Sequence, residues 1–366
     1  MFQTVAIIGL GLIGGSIARK IKEKHPETRI LAWDRNQSSL EEAQSDGMID
    51  VCLSGIGAPL READLILLCI PVTMIAEGLK QLRPYLGASA IVSDVGSTKA
   101  SVHRAVRECG LEESFIGGHP MAGSERTGYM NSRANLLENA YYILTPTGKN
   151  RLGDTEKMVR FAQELAAIPL VLQPEEHDYA VAAISHVPHL VASSLVNLVA
   201  DADSEDQVMK KIAAGGFKDI TRIASSSPVM WEQICMENKE NILPLLRGTI
   251  DLLTRMADRI EAGDADYVHE SFVRSGAYRS QISDRGSRTG NPEYALFCDI
   301  PDRPGAIAII ASILSFEGIS IKNVGINHNR ELQEGALKIE FHDPASCQKA
   351  GEVLKAHHFP VYRKKP

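Results

Sequence analysis

Aromatic side chains make up only 5% of this 366-residue chain, and basic residues are not in excess: 39 Lys and Arg stand against 46 Asp and Glu, a formal net charge of −7. That balance offers no general attraction to nucleic acid or to an anionic membrane, so neither is expected as a partner. The six cysteines, Cys52, Cys69, Cys109, Cys235, Cys298 and Cys347, are scattered without a C-x-x-C pair. The spacing argues against a zinc framework or a disulfide-stapled fold and leaves reduced, mostly structural thiols. No uninterrupted apolar run is long enough to span a bilayer, and the N-terminus enters a strand pattern at once instead of a signal peptide. A cytoplasmic protein is therefore expected. Internal repeats and low-complexity segments are lacking too.

What is present falls into three textures, as a length suited to two or three domains leads one to expect. Residues 1–172 alternate helical stretches with short apolar runs such as "TVAIIGL", "ADLILLCIP" and "SAIVSDV". Hydrophobicity that is continuous along a strand predicts burial on both faces, hence a parallel sheet in an α/β domain. Residues 173–285 carry long helical periodicity, as in "DYAVAAISHVPHLVASSLVNLVA", and predict an all-α domain. The polar stretch "SDRGSRTGNPE" contains an expected linker, residues 286–293. Residues 294–366 then read strand, helix, strand, strand, helix, strand, a split βαβ pattern that predicts a small ferredoxin-like sheet.

The run "VAIIGLGLIGGSIARKI" places Gly9, Gly11 and Gly14 in G-x-G-x-x-G spacing between a strand and a helix. The first glycine permits the tight turn, the second lets backbone approach a pyrophosphate, and the third lets the helix pack on the sheet. Leu12 and Ile13 lie between the last two glycines, on the cofactor side of the turn. About 20 residues on, Asp34 ends the next strand, where a carboxylate accepts hydrogen bonds from a ribose 2′-hydroxyl. Together these predict a Rossmann-type dinucleotide site that prefers NAD, since Asp34 repels a 2′-phosphate; Arg35 beside it softens that preference.

A nicotinamide site needs a group to handle the proton that accompanies hydride transfer, and histidine titrates in the right range. In "SFIGGHPMAGSE", His119 follows an expected strand and would sit at the carboxyl edge of the sheet, where open α/β folds bind ligands. "DVGSTK" brings Ser97 to the same edge as a hydrogen-bonding hydroxyl. Taken singly, His119 is equally a satisfied loop histidine, and Ser97 a helix cap. In the helical region "ISHVPHLV" sets His186 and His189 on one face with Pro188 bending the helix between them; without a third ligand no metal site is expected. "GGFKDITRIASSSPVMW" holds Lys218, Asp219, Arg222 and Trp231. The Arg222 fork suits a carboxylate, or pairs with Asp219 on a solvated face, and Trp231 is more often core than ligand stack.

With these segments in place the chain resembles the prephenate dehydrogenase family, in the form that carries a C-terminal ACT domain. The likeness runs through "IIGLGLIGGS", "DVGSTK", "GGHPMAGSE", "HDYAVAAISHVPH", "GGFKDITRIA", "MWEQICMEN" and "DIPDRPGAIAIIASIL". It implies oxidative decarboxylation of prephenate to 4-hydroxyphenylpyruvate with reduction of NAD, a helical domain that builds a homodimer, and inhibition by L-tyrosine. By position, His119 matches the family's catalytic histidine and Ser97 its hydrogen-bonding companion. Glu125, next to Ser124, matches an acid that organises substrate, and His189 and Arg222 match carboxylate-binding positions. Lys218 and Asp219 are pocket or interface candidates. Asp302, Gly305 and Asn323 are expected to form an effector site between paired ACT domains. Arogenate as substrate, another NAD-linked hydroxy-acid or imine dehydrogenase, and a metabolite-sensing module without turnover are the alternatives.

Overall fold

The computed structural model describes residues 2–123, 126–282, 294–300, 303–328 and 335–362. The expected linker, Ser124, Glu125 and Asp302 lie outside the described residues. The chain forms two compact units, Met1–Tyr278 and Arg279–Pro366.

The first unit begins with β1 (Thr4–Ile8), α1 (Leu12–Lys24), β2 (Arg29–Trp33), α2 (Gln37–Ser45), β3 (Val51–Cys52), β4 (Leu65–Leu68), α3 (Val72–Leu82), β5 (Ile91–Asp94) and α4 (Ala100–Cys109). The five strands form a sheet in the order β3-β2-β1-β4-β5, and every pair is parallel. The apolar runs are continuous because each face of the sheet has its own core. Val5, Ile7, Leu65 and Leu67 enter one core with Ile17 and Ile21 of α1, while Ala6, Ile8, Ile66 and Leu68 enter the other with Ile75 and Leu79 of α3. This is the two-residue period of a strand buried on both sides.

The chain then adds β6 (Ile116–Pro120), β7 (Tyr141–Pro146), α5 (Asp154–Glu164) and β8 (Ile168–Val171). Here the structure corrects one expectation: His119 does not follow a strand onto a loop but lies within β6 itself. That strand pairs antiparallel with β7, which pairs parallel with β8. A single parallel bridge, Val92 to Phe115, sets β6 beside β5.

Helices α6 (Pro174–Val181) and α7 (Val187–Ala202) run together through a π turn, Ala182–His186. Pro188 has no amide hydrogen, and its ring would clash with the carbonyl four residues back in an ideal helix. The wider π turn just before it accommodates the ring, so the proline marks the place but does not break the helix. Among the described residues, only Pro174–Ala202 has the length and apolarity of a membrane span. It carries buried His177, Asp178 and His186, whose hydrogen bonds reach other elements, as in a core helix. There follow α8 (Val208–Ile212), α9 (Gly215–Thr221), α10 (Pro228–Glu237), α11 (Lys239–Glu261) and α12 (Ala265–Gln281). On the last two, Ile250, Leu253, Ile260, Phe272 and Val273 are exposed in the single chain.

The second unit contains β9 (Tyr294–Ile300), α13 (Ala306–Phe316), β10 (Ile321–His328), β11 (Gly335–Phe341), α14 (Pro344–Ala356) and β12 (Val361–Tyr362). Its sheet has the order β10-β11-β9-β12 with all pairs antiparallel. Ile310 and Leu314 of α13 and Ala350 and Leu354 of α14 close its core over Leu296, Cys298, Leu337 and Ile339.

Two buried histidines tie the first unit's stability to pH. His103 on α4 bonds the Thr145 hydroxyl at 2.9 Å, and His186 bonds Asn238 at 3.1 Å. Burial lowers each to a pKa of about 4. Below the unfolded value near 6.5 the unfolded chain takes up protons that the folded chain refuses, so stability falls as pH drops from about 6.5 toward 4. Urea unfolding at steps across that window is expected to show the midpoint falling; a midpoint that is flat or rises on acidification contradicts neutral burial of these rings.

Candidate active site

Close packing explains the outer glycines of the first turn. Gly9 has φ of +102°, and a Cβ there would lie 2.3 Å from the Cys69 carbonyl oxygen. A Cβ at Gly14 would lie 2.2 Å from the Gly9 carbonyl oxygen, so α1 approaches the strand this closely only without a side chain. Gly11 is different: nothing lies within 4 Å of the place its Cβ would take. It is the N-cap of α1 and has no side-chain bond to the first-turn amides. The positive end of the helix therefore faces open space with N–H groups to donate, a fit for the pyrophosphate of a dinucleotide. Leu12 and Ile13 open the helix half-buried. Asp34 stands just after β2, where Oδ2 accepts from the Leu10 amide at 2.6 Å and Oδ1 from the Asn36 amide at 2.7 Å. These bonds fix the carboxylate beside the glycine turn and leave it lone pairs for ribose hydroxyls. Arg35 is exposed next to it.

The turn bearing Ser97 is built around an ion pair that sequence reasoning missed. Lys99 and Asp94 have no exposed surface, and the Lys99 ammonium contacts the Asp94 carboxylate and donates to the Gly118 carbonyl oxygen at 2.8 Å. Asp94 also accepts from the amides of Gly96, at 2.8 Å, and Gly118, at 3.2 Å. Burial pushes the Lys99 pKa down and Asp94 opposes it. The diglycine before His119 is a steric consequence of this arrangement. A Cβ at Gly118 would lie 2.6 Å from the Asp94 carbonyl oxygen, and one at Gly117 would lie 2.2 Å from Thr145 Oγ1. Half-buried Ser97 and the strand carrying His119 are thus laced together through Asp94, Lys99 and Gly118.

His119 is partly accessible, and its Nδ1 lies 2.7 Å from Nε2 of buried His177. Nδ1 of His177 lies in turn 2.8 Å from Oδ1 of Asp178. The same carboxylate accepts from the backbone amides of Lys99, at 2.7 Å, and Ala100, at 2.8 Å, at the start of α4. Burial, aided by the charge of Lys99, holds His119 well below the usual histidine range. The ring is neutral at pH 7 and able to accept a proton.

Farther along the same helix, His189 Nδ1 bonds the Ser185 carbonyl oxygen at 2.8 Å. Its ring stacks on Trp231 with centroids 3.8 Å apart. Burial lowers the His189 pKa, and the charge of Arg222 adds to the effect. Arg222 begins a short 3-10 turn, Arg222–Ser225, and its side chain is exposed, as are those of Lys218 and Asp219 on α9. Trp231 Nε1 is buried without an acceptor among the described residues. Asn238 links these parts by donating to the Asp178 carbonyl oxygen at 2.8 Å beside its contact with His186. In the second unit, Gly305 is the N-cap of α13 with φ of +87°, and exposed Asn323 on β10 bonds the Val324 amide through Oδ1. His177 and Asp178 lie in the "HDYAV" segment and Asp94 and Lys99 at the ends of "DVGSTK". An acid beside a histidine, opening an apolar helix, was the one signal available for the first pair.

Two family models match the chain. Residues 17–168 match the prephenate dehydrogenase nucleotide-binding domain, and residues 173–274 match the prephenate dehydrogenase dimerization domain. A prephenate dehydrogenase of Bacillus subtilis is 36% identical over 358 residues, covering 97% of this chain and 96% of that protein. Among solved structures, prephenate dehydrogenase from A. aeolicus, in complex with hydroxyphenyl propionate and NAD+, aligns with a TM-score of 0.72 at 33% identity. It covers 77% of this chain and 99% of the other. Synechocystis arogenate dehydrogenase aligns with a TM-score of 0.68 at 28% identity, over 76% of this chain and 99% of the other. The chain belongs to the prephenate dehydrogenase family of NAD-dependent oxidoreductases.

Proposed function

We propose that the chain converts prephenate to 4-hydroxyphenylpyruvate and carbon dioxide in tyrosine biosynthesis. The observation that carries the reading is His119 held by a chain of hydrogen bonds through His177 to Asp178, beside the Ser97 turn, where burial favours its neutral form. NAD, when bound on Gly11 and Asp34, supplies the hydride acceptor for the ring carbon that bears the hydroxyl. His119 accepts the proton of that hydroxyl and Ser97 hydrogen-bonds its oxygen, both in a pocket whose cost of alignment is met before the reaction. His189 and Arg222 hold the substrate's carboxylates, with Ser124 and Glu125 organising the substrate; Lys218 and Asp219 line the pocket or an interface. The Asp34 carboxylate favours NAD over NADP through repulsion of a 2′-phosphate, with Arg35 the counterweight. Likeness to an arogenate dehydrogenase supports a second reading in which the transaminated relative of prephenate is the substrate. Initial rates with the two substrates separate them.

The exposed apolar residues of α11 and α12 support a homodimer closed over those helices, since a patch of this kind is uncommon on a monomer. The six free thiols support a reducing, cytoplasmic setting. The strand order of the second unit supports its reading as a ferredoxin-like ACT domain, with Asp302, Gly305 and Asn323 at a site for L-tyrosine. Replacing His119 with Asn is expected to lower kcat by roughly 10² to 10⁴ with the Kd for NAD nearly unchanged. Wild-type turnover in that variant removes His119 from the mechanism. Truncation after residue 282 is expected to leave turnover and abolish inhibition by tyrosine; full inhibition in the truncated enzyme places the effector elsewhere.

A further inference from the structure

We propose that His177 and Asp178 are positioning residues that select the tautomer of His119, and that the Asp178 carboxylate fixes the Ser97 turn by the same set of bonds. The inference rests on the reading of His119 as proton acceptor and extends it to two groups that act through its ring.

Asp178 is the fixed point of the network. Its Oδ1 accepts from the Lys99 amide and from His177 Nδ1, at 2.7 and 2.8 Å, and its Oδ2 accepts from the Ala100 amide at 2.8 Å. Three N–H groups converge on it, so the carboxylate serves as acceptor and His177 carries its hydrogen on Nδ1. Burial keeps the His177 ring neutral, which makes its Nε2 a lone pair. Only an N–H can face that lone pair at 2.7 Å, so His119 carries its hydrogen on Nδ1 as well. The lone pair of His119 is then on Nε2, the nitrogen turned away from His177.

The opposite tautomer of His119 would set two lone pairs against each other in a buried place. Leaving one buried acceptor unpaired disfavours it by about 10- to 100-fold. When the hydroxyl proton arrives at Nε2, the Nδ1–H bond to His177 becomes charge-assisted and strengthens. The charged and titratable groups around the two rings are Asp94 and Lys99 from the turn side and Asp178 and His186 from the helix side. Asp94 and Lys99 neutralise each other, which leaves Asp178 to balance a proton on His119.

The same carboxylate also holds the backbone of Lys99 and Ala100, two and three residues beyond Ser97. One side chain from the helical half therefore places the hydroxyl partner and orients the base, which the two-domain sequence pattern assigns to separate segments.

Two full-length variants test this. His177→Gln keeps an acceptor, Oε1, for the His119 N–H, whereas His177→Phe removes it at similar volume. Selective ¹⁵N-histidine NMR of the wild-type enzyme is expected to find His119 as the Nδ1–H tautomer; finding it as the Nε2–H form overturns the proposal even if neither variant folds. In kinetics, His177→Phe is expected to lower kcat about 10²-fold. KM for NAD should be unchanged, and the acid limb of kcat/KM should move to lower pH. His177→Gln should recover all but about five-fold of kcat, with the limb restored. Equal losses in both variants with an unmoved limb mean that His177 is only a packing residue. Wild-type kinetics in the Phe variant also overturn the proposal. Failure of the underlying reading looks different: turnover that survives loss of His119 removes the base, while the NMR assignment of its tautomer stands.

Discussion

An ammonium group with no exposed surface, that of Lys99, is the constraint on which this site depends. Taking such a charge out of water costs several kcal/mol, and it is tolerated only because Asp94 and the Gly118 carbonyl oxygen are in place around it. Meeting that demand draws the end of β5, the start of α4 and strand β6 into one knot. Ser97 lies on one arm of the knot and His119 on another. The two glycines ahead of His119 let β6 lie this close, since any side chain there would strike the Asp94 backbone or Thr145. The diglycine that marks the site in sequence is therefore in part the trace of close packing around the end of β5.

The second constraint comes from the helical half. A carboxylate and an imidazole from α6 reach the start of α4 and the His119 ring, so the helical half is tied to the α/β half at the Ser97 turn and at β6. Farther along the same helix, the π turn demanded by Pro188 leads into the turn that presents His189 against Trp231. A single long helix thus supplies both the partner of the His119 ring and the imidazole stacked on Trp231. Lengthwise coupling of this kind needs a stiff element, and the helix is anchored by the buried hydrogen bonds of His177, Asp178 and His186.

Local features were legible in the sequence. The glycine turn, Asp34 at the end of β2 and the parallel sheet all follow from patterns within some thirty residues, and so does the alternation of apolar strands with helices. His119 and Ser97 stood out because their segments are short and unusual. The sequence misled where Gly and Pro flank His119: both residues are poor strand formers, yet β6 runs through Ile116–Pro120 because neighbouring packing overrides propensity. His177 and Asp178 were missed because their bonds reach 58 and 79 residues back along the chain, and no spacing rule records such a contact. Lys99 and Asp94 stood five residues apart in plain view, but a Lys in a polar turn reads as solvated until the structure shows it buried.

The most direct test of the account is a crystal structure of the full chain with NAD and a hydroxyphenyl analogue of the product bound together. His119 Nε2 is expected within about 3 Å of the ring hydroxyl oxygen, with Ser97 Oγ on the same oxygen and Nδ1 still on His177. A ring hydroxyl bound elsewhere, with His119 turned from it and no water between them, would contradict the account at its centre.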